Sequence, residues 1–131
     1  MKKKKILPMT LTVLPQEFSI CKTSAIPPTD LMKTPYVFLS VTPEETSLVC
    51  PVGTAVDNVL TKDDGWRGFF IDGVLDFSLI GILAGISDVL AKEKIGIFVV
   101  STYNTDYIFV KKAHFPAAIA ALKKNGYLFT E

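Results

Sequence analysis

Two short stretches of this 131-residue chain carry groups that could grip the two ends of a small zwitterion. The first is Asp76-Phe77-Ser78-Leu79, with Gly81 two residues on, at the start of a run with helical spacing. A helix start presents N–H groups without intrahelical partners and a partial positive charge, so the backbone around Phe77 to Leu79 can receive a carboxylate. That contributes about 0.3–1 kcal/mol when exposed and up to about 2 kcal/mol when partly buried. The second stretch is Ser101-Thr102-Tyr103, followed by Asp106. Here a carboxylate can pair with an ammonium group while hydroxyls or backbone groups fix its orientation. Leu79 and Ile80 would make a side-chain subpocket apolar, pointing to a neutral or aliphatic ligand. The same residues have structural uses: Asp106 and Thr105 suit a tight hairpin turn equally well. Gly81 and Gly85 can serve close packing, and Phe77, Phe98, Tyr107 and Phe109 can fill a sheet face.

Catalysis has little to stand on. With one histidine, His114, and two cysteines, Cys21 and Cys50, at no zinc spacing, no metal centre is expected and no cofactor is implied. No GxSxG, P-loop or GxGxxG occurs. A phosphate-gripping loop would need a cation where Gly73-Val74-Leu75-Asp76-Phe77-Ser78 carries Asp76. The chain reads as a non-enzyme. His114, just before a helix, is expected at the surface or in a cap.

The elements that must position these groups are clearest in the second half. Residues 66–72 (WRGFFID) predict a strand. From Ser78, the apolar residues Leu79, Ile82, Leu83, Ile86, Val89 and Leu90 recur at threes and fours, predicting a helix to about residue 94, capped by Ser78 or Asp76. Gly81 and Gly85 fall inside it at about 1 kcal/mol each, which close approach of a neighbour would offset. Residues 95–100 and 106–111 predict a hairpin around a polar turn. Residues 115–124 predict a second helix ended by Gly126, and residues 127–129 a closing strand. The order β-α-β-β-α-β is the ferredoxin-like arrangement: an antiparallel sheet, both helices on one face, class α+β.

The first half echoes the second. FLSVTPEETSLVC from Phe38 aligns without gaps on FVVSTYNTDYIFV from Phe98 at an offset of 60, and EFSI at residues 17–20 on DFSL at residues 76–79 at an offset of 59. A repeated unit explains both. Ala25-Ile26-Pro27-Pro28 displaces the first helix, leaving a short turn at residues 30–33, with a second brief helix near residues 53–60. Two lobes in tandem follow, a reduced one at residues 1–61 and a full one at residues 62–131, joined through the linker at residues 61–65.

Residues 76–110, DFSLIGILAGISDVLAKEKIGIFVVSTYNTDYIFV, resemble the hallmark segment of a subgroup of ACT domains, and SLVCP at residues 47–51 and the Trp66 strand fit its short bacterial members. The subgroup occurs in two-lobe bacterial proteins and in the animal cytosolic arginine sensors. The resemblance implies ACT-like lobes in tandem, association into dimers, and regulation by an amino acid bound where lobes meet. Position by position, Thr102, Tyr103, Asp106 and Gly81 match residues lining the sensors' pocket. Leu79 stands where the sensors have a glutamate and Asp76 where they have a glycine, so arginine is not the expected ligand.

Composition fits this frame. Hydrophobic residues at 49% and charged residues at 21% make a folded globular chain. Lys2 to Lys5 hold four of the 14 basic residues, leaving 10 basic against 13 acidic groups, a body that suits no phosphate backbone. No apolar run approaches the roughly 18 residues that span a bilayer, and the stretch after the lysines is broken by Pro8, Thr10 and Thr12, so a solvated tail is expected. Cys21 and Cys50 are expected as buried, reduced thiols of a cytoplasmic protein. The expected function is non-catalytic amino-acid binding by a regulatory protein, with a ligand-free dimerisation or interaction module as the alternative.

Overall fold

The computed structural model describes residues 9–73 and 81–130. The elements are β1 (Thr10–Thr23), β2 (Phe38–Val41), β3 (Thr46–Pro51), β4 (Val59–Ile71), α1 (Ile82–Lys92), β5 (Phe98–Ser101), β6 (Asp106–Lys111), α2 (Phe115–Lys124) and β7 (Leu128–Thr130). Single 3-10 turns lie at Leu31–Lys33 and Lys112–His114. The chain forms two compact units, one of residues up to 14 together with those from 68 onward, the other of residues 15–67. Residues 61–65, expected as a linker, are instead part of β4. Their Thr, Lys and Asp side chains suit an exposed strand as well as a loop, and all but the last are exposed.

In the first unit the strand order is β7-β1-β4-β6-β5. In a ferredoxin-like sheet the closing strand lies beside the first strand of the unit, here β4; β1 takes that place instead, and β7 pairs in parallel with β1 from Thr10↔Leu128 to Thr12↔Thr130. The Asp72 N–H donates to the Thr10 carbonyl and the Ser24 N–H to the Asn58 carbonyl, both at 2.9 Å, so the start of β1 meets the end of β4 and the two run antiparallel. The reason for the exchange is burial. Leu11 of β1 is fully buried with Phe69 and Ile71 of β4, Ile108 and Val110 of β6, Ile86 and Leu90 of α1, and Ala118 and Leu122 of α2. Alternate strand residues thus point to one face, where both helices lie.

The opposite face belongs to aromatics. Phe109 is fully buried, and a Cβ at Gly68 would stand 2.7 Å from two of its ring carbons, so β4 has glycine where the ring crosses it. Phe70 and Tyr107 pack at 5.3 Å between centroids. Gly85 meets its expected close neighbour: an added Cβ would lie 3.0 Å from the Tyr127 hydroxyl oxygen.

The second unit orders its strands β2-β3-β1-β4. The expected short turn at residues 30–33 is present, but residues 53–58 form no helix. Cys21, Leu48 and Cys50 make a small core with Leu31, Met32, Val37, Leu39 and Val56 around it. Both thiols are free and buried. Burial, and to a lesser degree the neighbouring Cys21, pushes the Cys50 thiol from an ordinary 9.0 up to about 11. The folded chain therefore holds this proton more tightly than the unfolded chain. Stability is intact below pH 9 and falls as pH rises from 9 to 11, by up to about 2–3 kcal/mol. Urea midpoints taken from pH 8 to 11 should show this decline, with a smaller decline in Cys50→Ala; equal slopes would remove the thiol as its cause.

The offset of 60 reappears as geometry. Phe38↔Val49, Leu39↔Leu48, Ser40↔Ser47 and Val41↔Thr46 pair in one hairpin. Phe98↔Phe109, Val99↔Ile108, Val100↔Tyr107 and Ser101↔Asp106 pair in the other, each sixty residues on. The turns match too: the Thr42 N–H donates to Glu45 O at 2.9 Å and the Thr102 N–H to Thr105 O at 2.8 Å. Both threonine hydroxyls bond the same carbonyls, at 3.3 and 3.0 Å.

Candidate functional site

The β5–β6 turn is built by its threonines. Thr102 Oγ1 donates to Thr105 O and lies 3.4 Å from the Thr105 N–H nitrogen, the local bonding that lets threonine close a turn. Thr105 is buried, and its Oγ1 donates to the Ile71 carbonyl at 2.7 Å. This bond pins the turn to the C-terminal end of β4. Of the two uses weighed for Thr105, the structural one holds. Thr105→Val, which keeps the shape and removes the donor, should cost about 1–3 kcal/mol by leaving a buried carbonyl unpaired. Chemical denaturation would measure it; Thr105→Ser should keep most of the stability, and a loss below about 0.5 kcal/mol would show the bond to be incidental.

Asp106 opens β6 opposite Ser101 and is half-buried. Its carboxylate makes no hydrogen bond or ion pair among the described residues, so the turn does not depend on it. Ser101 and Thr102 are exposed, and Tyr103 is 80% exposed at the tip. The structure therefore gathers Ser101, Thr102, Tyr103 and Asp106 at one end of the hairpin, with the end of β4 beside them. Asp76, Phe77, Ser78 and Leu79 lie outside the described residues.

Gly81 is not inside a helix, as its spacing suggested, but at the N-cap position of α1, with φ 85° and ψ −3°. That left-handed conformation is open to glycine and strained for other residues, which accounts for it there. No side chain caps the helix and no acidic residue occupies its first turn. The first intrahelical bond runs from the Gly85 N–H to Gly81 O at 2.9 Å. The opening N–H groups of α1 thus have no intrahelical partners, as a receiver of a carboxylate requires, but the start lies three residues later than expected. His114 holds the N-cap position of α2 without a side-chain capping bond.

Two features escaped the sequence. In the second unit a groove of about 620 Å³ is lined by Pro28, Asp30, Leu31, Val52, Thr54 and Asp57, among others. Its signal was the proline run that displaces a helix, since loops in a helix's place leave space. The same unit holds the Cys21–Cys50 pair beside a cavity of about 60 Å³. Nothing in a spacing of 29 residues announces that contact.

A family model described as ACT domain matches residues 61–124, the span holding all but the first two residues of β4, α1, the β5–β6 hairpin and α2. No curated protein matches the chain. Among solved structures, the protein Atu0741 from Agobacterium tumefaciens is 26% identical over 95% of this chain and 94% of its own, with a TM-score of 0.84. The regulatory subunit of aspartate kinase from Thermus thermophilus, ligand-free, is 10% identical over 92% and 98%, TM-score 0.61. Clostridium acetobutylicum aspartate kinase is 12% identical over 85% of this chain and 33% of the enzyme, TM-score 0.59. These findings support an α+β ACT-like fold in which a sheet carries two helices.

Proposed function

We propose that the chain belongs to the ACT domain family and acts as a ligand-binding regulatory protein, its ligand an amino acid or similar small zwitterion. The observation that carries this reading is Asp106. The hairpin turn is closed and anchored by Thr102 and Thr105, while the half-buried Asp106 carboxylate beside them has no partner among the described residues. A carboxylate so placed suits a ligand ammonium. The uncapped start of α1 at Gly81 suits the ligand carboxylate, as would the backbone at Asp76, Phe77, Ser78 and Leu79 that precedes it. Ser101, Thr102 and Tyr103 complete the site, and Leu79 in place of a glutamate favours a neutral, aliphatic ligand over arginine.

The register-matched hairpins support two ACT-like lobes descended from one unit, at residues 1–61 and 62–131. Two free thiols accord with a cytoplasmic location; among the described residues no helix is long and apolar enough to cross a membrane. Association into a homodimer is favoured by strands β2 and β5, which end their units' sheets without a charge or proline.

That last observation also favours a second reading, a ligand-free interaction module. Thermal unfolding with each common amino acid separates the two. A ligand at 100 times its Kd adds about 2.7 kcal/mol, and one aliphatic amino acid should raise the melting temperature accordingly. No shift with any of them at millimolar concentration, in a chain that elutes as a dimer, leaves the interaction module standing.

A further inference from the structure

The groove of the second unit takes no part in the zwitterion site. One wall is the β1–β2 connection, with Pro28, Asp30 and Leu31; the other is the β3–β4 connection, with Val52, Ala55 and Asp57. Its volume of about 620 Å³ falls within the range of small-molecule sites, about 300–1,000 Å³. Both walls are fixed at their bases. The Ser24 N–H donates to Asn58 O at 2.9 Å, tying one connection to the other, and the Val52 N–H donates to Glu17 O at 2.8 Å. Tyr36 and Asn58, one in each connection, have φ of 63° and 61°. Left-handed backbone at a bulky residue persists only where its surroundings over-determine it, and such positions gather at ligand clamps and switch regions.

Charge and apolar surface define what the groove fits. Asp30 and Asp57 stand one on each wall, both exposed, and their carboxylates make no hydrogen bond or ion pair among the described residues. No lysine, arginine or histidine lines the groove among those residues. The surrounding charge has the same sign. Residues 15–67 carry seven acidic against four basic side chains, the whole acidic surplus of the chain beyond Lys5. The remaining lining is mainly apolar, and exposed apolar side chains concentrate here. Of the seven large ones among the described residues, Ile26, Val52, Val59 and Leu60 lie in or directly beside these two connections. An anionic ligand would meet two like charges and no cation, and a neutral one would gain nothing from either. The lining suits an aliphatic body with more than one positive charge.

We propose that the second unit binds a linear aliphatic polyamine in this groove, with ammonium groups at Asp30 and Asp57 and methylenes against Leu31, Val52 and Ala55. Binding is reversible and changes no covalent bond. Neither carboxylate belongs to the proposed zwitterion site, so each ligand can be tested without the other.

The probe is spermidine, titrated into the full nitrogen-15-labelled chain at physiological ionic strength, where exposed charges beyond a Debye length are screened. Amide signals of residues 28–34 and 52–57 should move and saturate at one spermidine per chain. Hexane-1,6-diol, aliphatic but uncharged, should leave them in place. Asp30→Asn and Asp57→Asn should each weaken binding about two- to fivefold, the worth of one exposed ion pair, and the double variant should lose more than either. Both residues are exposed, and an unchanged amide spectrum elsewhere shows that the fold persists. No shift at millimolar spermidine would overturn the proposal, as would shifts that grow without saturating or centre on Glu44, Glu45 or Asp106. Undiminished affinity in the double variant would do the same. A lysine-rich peptide that moves these signals where spermidine does not would assign the groove to a protein partner instead.

Discussion

Phe69→Ala should remove about 3–5 kcal/mol, the range for deleting a buried phenylalanine. Phe69 sits on β4 with no exposed surface, in the cluster that joins Leu11, Ile71, Ile86, Leu90 and Ile108. Its ring meets Phe129 edge-on, centroids 5.7 Å apart and planes at 76°. Such a pair adds about 0.5–1.5 kcal/mol beyond burial. The cavity left behind is bounded by strands on one side and helices on the other, and hydrogen-bonded strands cannot sag to fill it. Domains of this kind hold only about 5–15 kcal/mol in total, so the variant stands near the edge of folding. Urea titration would show a lower midpoint with unchanged slope, and Phe69→Leu should lose less. A loss under about 1.5 kcal/mol for the alanine variant would mean that this core can collapse around the gap.

The same cluster explains what could be read from residue order. Helix α2 coincides with its expected bounds because Phe115, Ala118 and Leu122 recur at helical spacing and all are buried. Strand β6 coincides because its alternation sends Ile108 and Val110 to one face and Phe109 to the other. The offset of 60 was legible because a hairpin's register and turn chemistry are local: Thr42 and Thr102 close their turns the same way. Strand neighbours are not local. That β1 would stand between β4 and β7 depends on which of several apolar strands best covers the helices, and Leu11 alone does not announce it. Likewise the exposed run Thr61-Lys62-Asp63-Asp64-Gly65 has the composition of a linker, and only its pairing partner makes it a strand.

At the candidate site, sequence identified the residues better than their roles. Thr105 and Asp106 were equal candidates for turn or ligand. The structure separates Thr105, through a bond to Ile71, a residue 34 positions away. Gly81 was placed inside a helix because periodicity marks a face and not an end; its positive φ moves it to the start.

Asp106→Ala is the sharper test of function. The carboxylate has no partner among the described residues, so truncation should change intrinsic stability within about 0.5 kcal/mol, as at a surface position away from special features. Its effect on binding should be large. A charge-assisted hydrogen bond contributes about 1.5–3 kcal/mol, so the amino acid that stabilises the unaltered chain should lose at least about tenfold in affinity, at 1.4 kcal/mol per factor of ten. Asp106→Asn isolates the charge: it keeps size and acceptor oxygen, so a loss as great as alanine's assigns the contact to ion pairing with the ligand ammonium. Thr105→Val is the contrasting control, lowering the melting temperature while the ligand-induced rise persists. If Asp106→Ala lowers stability as Thr105→Val does and binds the amino acid as before, the carboxylate belongs to the turn. The zwitterion's ammonium must then be held elsewhere.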